Sequence, residues 1–398
     1  MSNGAGRYSL FMSDPPAPIL LVSLTARMLA ELAVRADYQV VALDYFGDAD
    51  LQALCPSLSL RRDFNQPYTA TALVDAAATL TAPAVVYGAS LENHPTQVAR
   101  LGRGRQLLGN RPETLRQVRR PLRLAEALRA GGFAYPQTVL AEPGLTLDRR
   151  RRWLWKPLNS GGGHGIFVWR PGQPLPAAGV FQEQLSGLIG SAVFVANGQQ
   201  AVLLGLTEQL VGRRAFGAKR FGYCGNLLPP RLPPAELNHL LREAQTLVSH
   251  LSRTFKLQGL NGLDFIWRQG RVWTLEVNPR PTASMELVEL AYNLRLFDAH
   301  IRSFKGELPD FELEQALTGS LATGKAIVFA PADLCLGETG HWPGRGLRDI
   351  PQPGEQIQQG QPVCTILASG PTSPACLRQL WSKAVQLKRE FKQFSHNF

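Results

Sequence analysis

Between residues 19 and 87, short apolar runs alternate with helix-like runs, and this alternation constrains the fold more than any other feature of the chain. Ile19-Leu20-Leu21-Val22-Ser23 reads as a buried strand, residues 25–34 as a helix, and residues 38–43 as a second strand ending at Asp44. A helix over residues 69–80 and a strand over residues 84–87 complete a βαβαβ pattern. Consecutive strands joined by helical crossovers form a parallel sheet. Such sheets bind ligands just beyond the carboxyl ends of their strands. Gly88-Ala89-Ser90-Leu91-Glu92-Asn93-His94 occupies that position, so Glu92 and Asn93 are candidate substrate contacts, with simple loop solvation as the alternative. The first turn, Ser23-Leu24-Thr25-Ala26, has no glycine fingerprint. No dinucleotide site is therefore expected there, and Asp44 is read as a strand-end residue rather than a ribose ligand.

The length of 398 residues suits two or three domains, each with its own core. No apolar run approaches the roughly 20 residues of a membrane span, so no membrane association is expected. Residues 1–18 lack a basic region followed by an apolar run, and are read as a disordered leader rather than a signal peptide. The five cysteines are odd in number and lack CxxC spacing. That pattern argues against a disulfide framework or a zinc site and favours a reducing cytoplasm. The formal charge of +11 comes mostly from scattered arginine, clustered locally at residues 111–129 and 149–152. Without a basic stripe or a nucleic-acid motif, it fits a protein handling anionic nucleotides and carboxylates better than a nucleic-acid binder.

A second unit begins near Asn110. Residues 112–130 read as one long helix closed by Gly131-Gly132, followed by a strand at residues 137–140 and a linker, Glu142-Pro143-Gly144. Next comes Trp153-Leu154-Trp155-Lys156-Pro157-Leu158-Asn159-Ser160-Gly161-Gly162-Gly163-His164-Gly165-Ile166, a strand, a lysine and a glycine-rich loop. Glycines let backbone N–H groups approach and cradle phosphates, and Lys156 adds a positive charge. Lys156 is the only lysine among the first 218 residues, which sharpens this reading against that of a flexible hairpin loop. The missing GKS/T ending excludes a P-loop. In the strand over residues 180–185, the Gln182 side chain and the backbones of Glu183 and Leu185 could meet an adenine edge, although the pattern also fits an ordinary strand end.

Residues 191–196 and 201–209 read as paired strands around Asn197-Gly198, residues 221–225 as a turn-rich connector, and residues 236–255 as an amphipathic helix. The stretch LDFIWRQGRVWTLEVNPR, residues 263–280, reads as a β-hairpin turning at Arg268-Gln269-Gly270. Glu276 and Asn278, two apart, share a face. If the loop is three residues long, Asp264 joins them. Two acids and an amide oxygen would then suit Mg²⁺, with a solvated edge hairpin as the alternative. Residues 284–304 read as a helix whose Met285, Leu287, Val288 and Leu290 face a core, and residues 307–318 as a polar linker. The tail offers a strand at residues 325–329, a turn-rich block at residues 337–348 and a helix at residues 375–394. Pro353-Gly354, Gly360 and Pro362 space two tight turns like those of a biotinyl carrier, but no modifiable lysine lies between them, so a structural cap is expected.

The ordered set WKPLNSGGGHGI, FQEQLSG and GLDF…TLEVNPR resembles the ATP-grasp superfamily over residues 110–305. The parallel sheet before it is similar to the domain preceding ATP-grasp folds, and the tail to the C-terminal part of carboligases related to biotin carboxylase. The resemblance implies an α/β and α+β chain with three domains: a parallel α/β pre-ATP-grasp domain (1–110), a two-lobed ATP-grasp domain (111–310) and a β-rich cap (311–398). It implies that Lys156, Gly161, Gly162, Gly163, His164 and Gly165 hold ATP phosphates, and that Gln182, Glu183 and Leu185 meet adenine. Asp264, Glu276 and Asn278 would hold Mg²⁺ or Mn²⁺, with Arg280 and Lys156 as the catalytic cations. A lysine common in the superfamily before the helix ending at Gly131 is replaced here by Arg119 or Arg120. The usual ribose acid is missing at Gly187-Leu188-Ile189-Gly190. The implied activity is that of a cytoplasmic ATP-dependent carboxylate–amine ligase acting through an acyl phosphate on small molecules, with a homodimer as an open assembly. The whole chain resembles the predicted ATP-grasp carboligases, some of which join glutamate to tyrosine or tyramine in methanofuran-type cofactor synthesis. A bicarbonate-activating carboxylase and a non-catalytic ATP-binding protein are the alternatives.

Overall fold

The computed structural model describes residues 17–142, 145–170, 172–173 and 178–394. Most of the expected leader, and Pro143-Gly144 of the expected linker, lie outside the described residues.

The expected parallel sheet forms with five strands, ordered Ser57–Ser59, Val40–Asp44, Ile19–Val22, Ala84–Tyr87 and Gln106–Leu107. The central strand supplies Leu20, Leu21 and Val22, all fully buried because helices cover both faces. The two edge strands gave no sequence signal, since two or three residues cannot show a period. Asp44 is buried and accepts hydrogen bonds from the Ala26 and Gly47 amides, the strand-end role expected of it.

A four-stranded antiparallel sheet follows, ordered Thr138–Leu140, Gly179–Glu183, Trp153–Pro157 and Phe167–Trp169. The main antiparallel sheet has eight strands, running Arg271–Asn278, Gln258–Arg268, Leu188–Asn197, Ala201–Val211, Tyr223–Leu228, Ala322–Phe329, Pro362–Gly370 and Leu347–Arg348. Its last three strands come from the tail, which is thus joined to the central sheet by main-chain hydrogen bonds. The helix Pro234–Phe255 buries Leu240, Ala244, Leu247, Val248, Leu251 and Phe255, a stripe of helical spacing, in the core formed by Phe194, Leu203 and Leu263. Burying each such leucine contributes roughly 1.5–3 kcal/mol.

Three expected elements are divided or moved. The long helix over residues 112–130 is two helices, Pro112–Val118 and Pro121–Ala130. Pro121 has no N–H and disfavours helical geometry at Arg120, whose ψ is 112°. The helix over residues 284–304 is Met285–Tyr292 and Leu296–Ser303, broken at Asn293 with φ 48°. The supposed connector at residues 221–225 enters the strand Tyr223–Leu228. Gly225 disguised it: a Cβ there would lie 2.0 Å from the carbonyl oxygen of Lys325 on the next strand. Sheet packing, not turning, requires that glycine.

Candidate active site

The hairpin Gln258–Arg268 and Arg271–Asn278 forms, but its turn has two residues, Gln269 (φ 52°) and Gly270 (φ 69°), because Arg268 pairs with Arg271. That corrects the expected three-residue loop. A two-residue turn in regular register would place Asp264 opposite Leu275, pointing away from Glu276. A bulge after Asp264 restores the phase, so that Asp264 lies opposite Glu276 and Gly262 opposite Asn278. The shared face was expected. The bulge that creates it has no sequence signal.

The Asp264 carboxylate accepts hydrogen bonds from Gln209 Nε2 (2.7 Å) and Asn278 Nδ2 (3.1 Å), and Glu276 accepts from Arg119 (3.0 Å). Burial, and then the neighbouring Glu276 charge, push Asp264 far above the usual carboxylate range. Burial acts on Glu276 in the same direction, but Arg119 and Lys156 outweigh it and hold Glu276 below its ordinary value. Like charges held side by side resist joint ionisation, and a divalent cation would relieve them. Among the described residues no three His, Cys, Asp or Glu side chains group as a metal cage. The donor set is therefore two carboxylates and the Asn278 amide, which fits a hard cation completed by phosphate oxygens and water.

Lys156 approaches from the four-stranded sheet. Burial lowers its pKa, opposed by the negative charges of Glu276 and Asp264. Its Nζ donates to Gln182 Oε1 (2.6 Å), and Gln182 Nε2 donates to Thr138 (3.1 Å). Gln182 thus orients Lys156. The Glu183 side chain pairs with Arg151 (2.7 Å), its N–H donates to Gln137, and Leu185 lies half-exposed just past the strand. In the glycine loop, Gly161 and His164 are exposed, and Gly162, Gly163 and Gly165 have φ of 62°, 81° and 75°. The loop lies against the large sheet: the Tyr223 amide donates to Gly162 O (3.1 Å), and a Cβ on Gly163 would stand 1.9 Å from Phe221 O.

Arg119, not Arg120, is the basic residue that reaches the hairpin. Pro121 ends the first helix where the Arg119 side chain bridges Glu276 and Asn93 Oδ1 (2.9 and 3.1 Å). Arg280 donates to Glu92 Oε1 (2.7 Å), with Asn278 Oδ1 at 3.5 Å. Glu92 and Asn93, read only as weak candidates, therefore join the two arginines beside the acidic face. Sequence reading missed the floor of the site. Ser191 pairs with Asp264 and Thr207, and Asn226 with Gln209 and Lys325. Ser191, Thr207 and Asn226 make a buried polar row bonded through Ser191–Thr207 (2.8 Å) and Asn226–Thr207 (2.8 Å). They lie in separate strands with no motif spacing, and only their register reveals the row.

Residues 121–284 match the ATP-grasp domain model, and the chain has the ATP-grasp fold. Among solved structures, N5-carboxyaminoimidazole synthetase from Staphylococcus aureus, complexed with ADP, is similar with a TM-score of 0.68 and 16% identity. That match covers 92% of this chain and 97% of the other. The biotin carboxylase domain dimer of the Hydrogenobacter thermophilus 2-oxoglutarate carboxylase, in complex with MgADP, ADP and bicarbonate, gives 0.67 and 15% over 95% of this chain and 90% of the other. An uncharacterized protein of Methanocaldococcus jannaschii is 19% identical over 66% of this chain and 63% of its own length, so the match spans less than two thirds of that relative.

Proposed function

We propose that the protein is an ATP-dependent carboxylate–amine ligase. The observation that carries this reading is Asp264 directly opposite Glu276 on one hairpin face, with the charge of Lys156, on the strand that leads into the glycine-rich loop, acting on both acids. In this reading Lys156 and residues 161–165 hold the phosphates of ATP, and Gln182, Glu183 and Leu185 border its adenine. Asp264, Glu276 and Asn278 hold Mg²⁺ or Mn²⁺, which when bound neutralises phosphate charge. Arg280 and Lys156 stabilise charge on the transferred phosphoryl group, and Arg119 keeps Glu276 ionised. The substrate carboxylate becomes an acyl phosphate, and the amine displaces phosphate to form an amide. The protein's own contribution is alignment, electrostatics and exclusion of water that would hydrolyse the intermediate.

Glutamate with tyrosine or tyramine is the substrate pair implied by the motif resemblance, and a homodimer is supported by the dimeric 2-oxoglutarate carboxylase relative. No helix among the described residues is long and apolar enough to cross a membrane. The test is an ADP-release screen of amino acids against amines, with mass detection of the product. ATP turnover that never depends on both partners would overturn the ligase reading. A bicarbonate-activating reading is favoured by the similarity to a biotin carboxylase domain holding bicarbonate, and would appear as bicarbonate-dependent ADP formation without an amide product.

A further inference from the structure

Resting on the ligase reading, we propose that Asn110 is a positioning residue for Arg280, its side-chain amide setting the arginine's place through the Pro279 carbonyl. Arg280 lies two residues past the end of the strand Arg271–Asn278, where the ladder of the large sheet no longer holds the chain. Its backbone is located by bonds from outside the hairpin instead. The Pro279 carbonyl, one residue before it, accepts from Asn110 Nδ2 (3.1 Å), with the Tyr87 hydroxyl at 3.4 Å. Both donors are buried. Tyr87 ends the parallel-sheet strand Ala84–Tyr87, and Asn110 follows the edge strand Gln106–Leu107 by three residues.

Asn110 reaches the other end of the hairpin as well. Its Nδ2 donates to Asn261 Oδ1 (2.8 Å) and the Gln258 carbonyl (3.1 Å), and its Oδ1 accepts from the Gln258 amide (2.9 Å). Gln258 opens the first hairpin strand and Pro279 follows the second, so one side chain clasps both open ends. The Arg280 guanidinium, in turn, donates to Glu92 (2.7 Å). The arginine is thus held near its backbone by Asn110 and at its tip by Glu92, while Asp264 and Glu276 stand farther along the same hairpin. The residue before Asn110 suits this arrangement. A Cβ on Gly109 would lie 2.5 Å from the Tyr87 ring, so a glycine is needed for the Tyr87 hydroxyl to reach the Asn110 carbonyl (2.9 Å). Groups that stabilise charge in a transition state act through preset geometry, and a displacement of about 1 Å can cost about a hundredfold in rate. A buried amide bonded to both ends of the hairpin supplies that setting.

The test is a double-mutant cycle on the full-length protein, read by release of ADP from radiolabelled ATP. Asn110→Ala should lower kcat at least about tenfold and move the KM for ATP less than about threefold, because Lys156 and the glycine loop are untouched. In an Arg280→Ala background, adding N110A should cost less than about twofold more, since the group it positions is already gone. A loss by the same factor in both backgrounds overturns the proposal, because Asn110 would then serve the fold as a whole. A kcat within about twofold of wild type in N110A overturns it too. Where N110A does not fold, as read by circular dichroism, Tyr87→Phe goes through the same cycle. It removes one donor to Pro279 and keeps the ring, and should cost about threefold in kcat with Arg280 present and nothing without it. Equal losses in both backgrounds again overturn the proposal. Turnover that requires bicarbonate in place of an amine overturns the ligase reading and leaves the cycle readable, since ADP is counted whatever the acceptor.

Discussion

Glu286→Ala probes the charge cluster that ties the three parts of the chain together. Glu286, on the helix Met285–Tyr292, accepts from Arg27 of the first helix (2.5 Å) and from Lys325 of the tail strand. The three side chains are 4%, 1% and 4% exposed. Arg27 keeps Asp349 (2.9 Å) and Glu31 (2.7 Å) in the variant, whereas Lys325 keeps the Ala283 carbonyl (3.3 Å) as its one described hydrogen-bond partner, with the Asp349 charge nearby. The loss is therefore that of one buried ammonium stripped of its carboxylate, about 3–5 kcal/mol. With an unfolding entropy of about 2.1 cal/mol/K per residue over 398 residues, 4 kcal/mol corresponds to a fall in Tm of about 5 °C. Calorimetry at neutral pH measures it. Adding Lys325→Met removes the stranded charge and should restore at least half of the loss. A Tm change below about 1 °C in E286A, or a further additive fall in the double variant, would refute the reasoning. Burial opposes ionisation of Glu286, but Arg27 and Lys325 hold its pKa far below the usual range. Its stabilisation is thus present above the unfolded value near about 4.3, and is lost as pH falls through that value toward the folded one. E286A should lack that part of the acid limb.

Glu276→Gln should lower turnover at least about hundredfold while leaving the fold intact, as read by ADP release and circular dichroism, and retained activity would remove its metal role. Gly163→Ala sets a Cβ 1.9 Å from Phe221 O at φ 81°, so the loop must leave its seat. KM for ATP should rise about tenfold or more, with Tm shifting by less than about 2 °C because the loop is largely solvent-facing. Burial lowers the pKa of His300 to about 4, with the Leu260 amide bonded to its Nδ1 (2.9 Å) and Leu108 O at its Nε2 (3.1 Å). The folded state thus resists protonation, and its stability should fall by roughly 3 kcal/mol as pH drops from about 6.5 to 4. His300→Gln should flatten that dependence in denaturant midpoints measured across the range.

Local patterns carried the elements that obey them. The crossover alternation of residues 19–87, the glycine-rich stretch after Lys156 and the period-two hairpin were legible because each is encoded by neighbours in sequence. Helix breaks at Pro121 and Asn293 were harder to read. In the first, the proline stands inside an otherwise helical run, and in the second an asparagine takes a left-handed conformation that its neighbours do not announce. Gly225 misled for the opposite reason, since a glycine demanded by an adjacent strand looks the same in sequence as one demanded by a turn.

The sequence by itself determined which residue types the site could use: two acids and an amide on one hairpin, a lone lysine before a run of glycines, and an arginine after the second strand. Tertiary structure decided which of them meet. The bulge beside Thr274 and Glu276 set the phase of Asp264, and the chain break at Pro121 delivered Arg119 rather than Arg120. Glu92 and Asn93 reached the two arginines from 188 and 26 residues away. Register, bulges and docking between domains are long-range choices, made by packing energies summed over the whole core, and no local run of residues encodes them.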